Sequence, residues 1–292
     1  MIILEAGAGL GNRMYSIASA YHLAQLASQR LLVLWKIDHT LGAQADAVFR
    51  FPKEIEIVPI YEGSFKQAPF KRLKSLRIKN SYKTAATTVL TSMSVRMLMK
   101  HADGYSYLKE LAAQPELLYI ESYICFLPNV EDQSVFYQIF TPSERVMQKA
   151  HPLLAQIRPD TIGLHIRRTD HAAAIQHSPL SAFTARMDFC LRENPSATFF
   201  VATDDSEVER QLLSSYPHSV IVNSSKHFTR TSTDGIADAC VDIFCLSRCA
   251  KIIGSYGSSF SHVASMLQNT PLEIVDIQSA ASFLNLQKNI FP

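Results

Sequence analysis

The chain has 292 residues, 47% of them hydrophobic and 18% charged, with a formal net charge of +2. That length exceeds one ordinary hydrophobic core and points to two domains, while the composition excludes a disordered or collagen-like polymer. The net charge hides an asymmetry: residues 63–102 hold nine Lys or Arg and no Asp or Glu, which leaves the rest at 19 basic against 26 acidic residues, or −7.

A basic segment of this kind attracts an anionic membrane, a phosphate-bearing acceptor or nucleic acid, and otherwise forms a solvated loop face. Peripheral contact with anionic lipid is the expected use, and a nucleic-acid partner is not expected. The chain enters a strand at once, Met1 to Ala6, without a charged leader and long apolar stretch. No window reaches eighteen apolar residues, so a membrane-spanning helix is not expected and the cytoplasm is the expected location. The five cysteines include no C-x-x-C and read as reduced, buried hydrophobes.

In chain order, the strand at 1–6 leads through a glycine turn into a helix over 10–29 and a strand over 31–35, a βαβ opening. Residues 54–60 alternate like a strand, and 83–101 are read as a helix. Thr141-Pro142-Ser143-Glu144 offers a cap, a proline at the first helical position and a glutamate at the third, predicting a helix to about 157. Strands at 161–166, 198–203, 219–222, 251–254 and 272–276 then alternate with helices at 179–193, 205–214, 234–248 and 258–268. Alternation of this kind predicts a parallel, doubly wound sheet. The expected architecture is α/β, with two Rossmann-like doubly wound domains, 1–157 and 158–292, facing a cleft. Ligands should sit beyond the carboxyl ends of the strands.

The turn Gly7-Ala8-Gly9-Leu10-Gly11-Asn12-Arg13 sets backbone N–H groups and a helix dipole against a polar ligand. A dinucleotide fingerprint wants a third glycine where Asn12 stands. In a dinucleotide reading Asp38 would hold the ribose, although a plain surface aspartate explains it as well.

His165-Ile166-Arg167-Arg168-Thr169-Asp170 leaves the end of an apolar strand. Adjacent arginines there point in opposite directions, so one faces a ligand while the other braces the loop, Asp170 being a candidate partner. The guanidinium fork suits a diphosphate and stabilises a departing nucleoside diphosphate, which makes a metal unnecessary. In Thr203-Asp204-Asp205-Ser206-Glu207, Asp204 and Glu207 read as a capping box in preference to a metal site. Asp242 sits among apolar neighbours in a helix, four residues from Asp238, a placement that costs stability unless something binds it. A carboxylate there is a natural acceptor for the paired N–H donors of guanine. Ser258-Ser259, at the start of the last helix, offer hydroxyl and backbone donors to phosphate, or a simple cap.

Together these motifs resemble the GDP-fucose-dependent fucosyltransferases, the superfamily of α1,2-, α1,6- and protein O-fucosyltransferases. His165 to Asp170 is similar to the H-x-R-R-x-D signature and looks closest to the α1,6 and nodulation-type branch. Gly9-Leu10-Gly11-Asn12-Arg13 looks like the superfamily's G-x-G-N turn, Val241 to Ser247 like the α1,6 branch's D-I-H-F-L-S helix, and Ser258-Ser259 like its phosphate turn.

The resemblance implies a GT-B fold and a metal-independent, inverting transfer of L-fucose from GDP-fucose to a glycan or glycolipid. It places Arg167 and Arg168 on the donor, with Arg167 on the β-phosphate, Asp242 and the His165 backbone on guanine, and Ser258 and Ser259 on the phosphates. Asp204 or Asp205 would lie nearby, and Gly9, Gly11, Asn12 and Arg13 would line the cleft. One departure stands out. The α1,6 branch follows R-R-T-D with lysine and glutamate, but here His171 is followed by Ala172-Ala173-Ala174. His171, a residue type suited to general-base work near neutral pH, is the expected base, with Asp170 and Asp188 in reserve. Another nucleotide sugar, an NAD(P)-dependent oxidoreductase built on the N-terminal turn, and a catalytically silent nucleotide-sugar binder are the competing readings.

Overall fold

The computed structural model describes residues 1–61, 87–127 and 137–277. The chain divides into two compact units: Met1–Arg145 with Thr229–Ala237, and Val146–Phe228 with the chain from Asp238 on. The first division thus falls before residue 146, ahead of the expected 157. It puts the helix that follows, whose Val146, Ala150 and Leu153 are buried, with the second unit.

In the first unit, β1 (Ile2–Ala6) lies between β2 (Leu31–Ile37) and β6 (Leu117–Ser122). The outer strands are β4 (Ile55–Tyr61) and β5 (Thr87–Leu90), all parallel, in the order β4-β2-β1-β6-β5. Every residue of β1 is buried, as a central parallel strand covered on both faces requires. Glu5 in its middle is tolerated because Lys36 reaches it at 2.5 Å and the Tyr119 hydroxyl donates to it. Helix α1 (Leu10–Leu26) follows β1 and buries Met14, Ile17, Ala18 and Leu23.

The predicted helix over 83–101 is corrected. Thr87, Thr88 and Val89 are β-branched and form β5 beside β6, and only Ser92–Leu98 coil into α2, with Thr91 accepting from the Ser94 N–H. Residues 83–86, and the cations from Lys66 to Lys83, lie outside the described residues. Helix α3 (Gly104–Ala113) precedes β6; no element was expected at either. The cap at Thr141 is corrected as well. Thr141 and Pro142 form a two-residue strand, β7, antiparallel to β3 (Phe49–Arg50), and α4 begins only at Glu144 and ends at Leu154.

The second unit keeps the predicted alternation closely. Its strands are β8 (Ile162–Ile166), β9 (Phe199–Thr203), β10 (Val220–Val222), β11 (Lys251–Ser255) and β12 (Leu272–Val275), all parallel, in the order β10-β9-β8-β11-β12. The helices are α5 (Ala172–His177), α6 (Leu180–Glu193), α7 (Ser206–Ser215), α8 (Thr233–Ser247) and α9 (Ser259–Gln268). Leu164, Ile166, Phe199 and Val201 of the sheet pack with Phe183 and Met187 of α6 and Leu212 of α7.

From β8 the winding runs through β9 to β10 in one direction and restarts at β11 in the other. The order therefore reverses between β8 and β11, the position where open α/β sheets bind ligands. Phe183 is fully buried in this core. Phe183→Ala should lower the unfolding free energy by about 3–5 kcal/mol, measured by urea denaturation.

Candidate active site

The residues singled out around His165 gather at the β8–β11 reversal. Ser255, at the end of β11, donates its hydroxyl to the His165 carbonyl at 3.2 Å and accepts the Arg167 N–H at 3.0 Å, which ties the loop after β8 to the loop after β11. The His165 ring is buried, shares a 2.7 Å hydrogen bond with the Ser261 hydroxyl and stacks on Phe260 at 4.6 Å. Burial, then the nearby Arg167 charge, push its pKa down to about 3, so the ring is neutral.

Gly254 permits this arrangement: a Cβ there would come within 2.7 Å of Ser261 Cβ. Gly257 is required on other grounds, since its φ of 64° lies in the left-handed region.

Asp204 organises the arginine loop. Its carboxylate accepts from the Arg168 N–H at 2.7 Å, the Thr169 N–H at 3.4 Å and the Thr169 hydroxyl at 2.6 Å, and pairs with Arg167 at 2.9 Å. Burial works to raise its pKa, but Arg167 and these donors outweigh it, and the net shift is downward. Asp204 is therefore not the helix cap it was expected to be. That place belongs to Asp205, which accepts from the Glu207 N–H at 2.8 Å at the start of α7.

The two arginines do divide their roles. Arg167 lies between Asp204 and Asp170. Arg168 turns away and donates to the carbonyls of Ser178, just after α5, and, at 3.5 Å, Ile175 within it, so it braces the loop.

His171 has a structural role. It is the N-cap of α5, its Nδ1 accepting the Ala174 N–H at 2.9 Å. An acceptor Nδ1 puts the neutral ring's proton on Nε2, so neither nitrogen offers a free lone pair to a substrate hydroxyl while the cap holds. Asp188, the other reserve, accepts from the Tyr216 hydroxyl at 2.8 Å.

At α9, Ser258 occupies the N-cap position but makes no side-chain capping bond, and Ser259 opens the helix. The simple cap is therefore absent.

Asp242 is buried in α8 and is not bare: Lys226, which sequence reasoning missed, donates to its Oδ2 at 3.1 Å. The same ammonium faces Glu209 Oε2 at 3.3 Å. Asp242 Oδ1 has no hydrogen-bond partner among the described residues, and neither has Glu209 Oε2. Burial pushes the Asp242 pKa up to about 6 against the pull of Lys226. The neighbouring carboxylate, Asp238, binds Lys149 at 2.6 Å and the His227 N–H and Nδ1, each at 2.9 Å.

In the first unit, Gly9 caps α1 without a side-chain bond, Gly11 is buried in its first turn and Asn12 is half-buried. Arg13, expected at the ligand, is a brace. Fully buried, it donates to the carbonyls of Ala8, at 2.8 Å, and Lys36, and lies over the Trp35 ring at 5.0 Å. Its pKa falls to about 10, mainly through burial. Ala8 needs that brace, because its φ of 62° is rare for a residue with a side chain. Asp38 is not a plain surface residue: its Oδ1 accepts from Thr40 and Leu41 and sits 3.7 Å from Arg13.

No family model matches the sequence. No curated protein matches it either. Solved structures do share the fold. One is NodZ α-1,6-fucosyltransferase soaked with GDP-fucose, at a TM-score of 0.61 and 19% identity over 95% of each chain. Another is Arabidopsis thaliana FUT1 with GDP, at 0.59 and 16% over 94% of this chain and 69% of that one. A third is POFUT1 with GDP-fucose, at 0.56 and 9% over 94% of this chain and 97% of that one. At these identities the likeness is one of fold, and the fold is of the GT-B type. Among the described residues no helix is long and apolar enough to cross a membrane.

The neutral burial of His165 carries a pH signature. Its folded pKa lies below the unfolded 6.5, so the stability it contributes is complete above pH 6.5 and is lost as pH falls toward about 3. Over that window this one group should remove about 1.4 kcal/mol per pH unit. Urea denaturation across pH should show that component disappear in His165→Asn.

Proposed function

We propose that the chain is a glycosyltransferase of the GDP-fucose-dependent superfamily, moving L-fucose with inversion from GDP-β-L-fucose to a glycan or glycolipid without a metal. The observation that carries this reading is the placement of Arg167. It stands at the strand reversal of the second unit, tied at its backbone to Ser255 and held between two carboxylates. Its guanidinium retains a fixed fork of donors, each worth about 1.5–3 kcal/mol against a charged partner. In this reading, that fork and the uncapped α9 start at Ser258 and Ser259 take the diphosphate and stabilise it as it leaves.

Asp242 accepts the guanine N–H donors, and the His165 backbone borders the base. The second unit holds the nucleotide sugar, and the first, with Gly9, Gly11 and Asn12, serves the acceptor. Lipid contact through the basic stretch 63–102 would bring a lipid-linked acceptor within reach.

With His171 committed to its cap, Asp170 is the proposed proton acceptor. In the free protein it is neutralised by Arg167; a diphosphate on Arg167 competes for that guanidinium and releases the carboxylate for the acceptor hydroxyl. Fold likeness to fucosyltransferases solved with GDP or GDP-fucose supports the donor class.

Calorimetric titration in EDTA with GDP, GDP-fucose, GDP-mannose, UDP and NAD tests the reading directly. GDP should bind, with GDP-fucose preferred over GDP-mannose; binding of UDP or NAD alone would overturn it. Arg167→Ala should weaken GDP by roughly ten- to a hundredfold, the equivalent of one such charged contact. Asp170→Asn should lower kcat at least a hundredfold while GDP binds no more weakly, its rival for Arg167 being gone, whereas His171→Ala should cost about 1 kcal/mol of stability through its lost cap and spare turnover.

A further inference from the structure

Three charged side chains from three elements meet beneath the proposed base-binding residue. Lys226 comes from the loop after β10, Glu209 from α7 and Asp242 from α8, with side-chain exposures of 5%, 12% and 5%. One ammonium lies between two carboxylates, 3.1 Å from Asp242 Oδ2 and 3.3 Å from Glu209 Oε2, and it also rests on the Phe228 ring at 4.9 Å. The trio thus carries one negative charge that no member balances, in a place where an unmatched charge is costly. The imbalance shows at two buried oxygens that meet no hydrogen-bond donor among the described residues: Asp242 Oδ1, and Glu209 Oε2, which faces Lys226 only as an ion pair.

The other titratable groups do not correct it. Asp238, one helical turn away, adds repulsion, and Cys245 of the same helix is a thiol that burial keeps protonated. His165, which feels the Lys226 charge, is neutral. What completes such a site is a ligand edge with N–H donors, or a proton.

We infer that Lys226, shared between Glu209 and Asp242, is a positioning and specificity-determining residue that holds Asp242 as an acceptor for a purine bearing N1–H and N2–H donors. The inference rests on the proposed guanine contact and deepens it.

The mechanism is a division of one cation between two anions. While Lys226 favours the charged form of Asp242, the carboxylate accepts two N–H bonds from guanine but at most one, from N6–H, from adenine, whose bare N1 it repels. If Asp242 takes a proton, it becomes a donor and the discrimination reverses in sign. Burial already brings Asp242 to about 6, so the balance is close to neutral pH and responsive to either neighbour. Loss of Lys226 removes the force that keeps the carboxylate charged and should move the change to higher pH. Loss of the Glu209 charge removes a repulsion and leaves the ammonium to Asp242 alone, which should move it to lower pH. A trio that merely holds the fold together has no reason to respond in opposite directions.

The experiment is calorimetric titration of the whole protein with GDP and with ADP between pH 5 and pH 9. It compares wild type, Lys226→Met and the isosteric Glu209→Gln, with thermal unfolding recorded for each. Wild-type GDP affinity should fall as pH drops through about 6. The midpoint should rise by at least about one unit in Lys226→Met, with the GDP-over-ADP preference at pH 7 reduced at least tenfold, and should fall in Glu209→Gln, in line with the direction each charge pushes a neighbouring carboxylate. Midpoints that stay fixed or move the same way in both variants would overturn the inference; if Lys226→Met does not fold, an unmoved midpoint in Glu209→Gln does so alone. A wild type that binds no GDP at any pH is a different failure, that of the proposed function itself.

Discussion

The second unit's site depends on a single carboxylate. Asp204 gathers two backbone N–H groups, one hydroxyl and one guanidinium, and so fixes the backbone path of Arg168 and Thr169 and the direction of the Arg167 side chain. A loop leaving a parallel strand has no sheet partner for its N–H groups, and buried donors must be satisfied. Because it too leaves the sheet at a strand end, directly after β9, the neighbour of β8, Asp204 can serve those of Arg168 and Thr169, while Ser255 takes that of Arg167. With the loop fixed this way, Arg167 reaches an anion without first giving up side-chain and loop freedom, a cost that otherwise subtracts from affinity.

The same residue type does opposite work in the two units, and burial decides which. Arg13 has all its charge inside, spent on the Ala8 and Lys36 carbonyls and on Trp35, where it holds a strained turn in place. Arg167 keeps a fifth of its side chain in contact with solvent and is paired only with acids, partners a diphosphate can rival. An arginine after the glycine-rich turn at 7–11 and an arginine leaving the end of β8 both look like ligand-loop residues. Only the inward direction of the first turn of α1 distinguishes the brace from the binder, and a single sequence does not reveal it.

Much of the second unit was legible because hydrophobic period and punctuation agree there. Ile162 to Ile166 is an apolar run but for His165, and Phe199 to Ala202 is another, each ended by charge within two residues and followed by a helix. The first unit was harder to read. Leu117–Ser122 is a central strand, yet it is short, follows Pro115-Glu116 and carries Glu121, so its pattern is weak against the background. The split of a cap from its neighbour at Asp204 and Asp205 was misjudged for a related reason. Both positions carry the residue a cap wants, and the choice is made by donors thirty-five residues earlier in the chain, on Arg168 and Thr169. Lys226 had no local signal at all, since its value comes from Asp242, sixteen residues on, and from Glu209 on another helix.

Helix α8 shows how far electrostatics shapes this region. Asp238 and Asp242 stand four residues apart on one helix, an arrangement that repels, and both are buried. Each is rescued by a lysine from a different direction, Lys149 from α4 and Lys226 from the loop after β10. The two rescues are unequal. Asp238 receives a lysine and two donors from His227, and its pKa is pulled down despite burial. Asp242 receives a lysine it must share with Glu209, has an oxygen with no partner, and its pKa is pushed up. If burying charge in this helix served stability alone, both acids would gain from full pairing or from replacement by apolar residues. The incomplete pairing of Asp242, at the point where the nucleotide base is proposed to lie, fits the proposal that this carboxylate awaits a ligand.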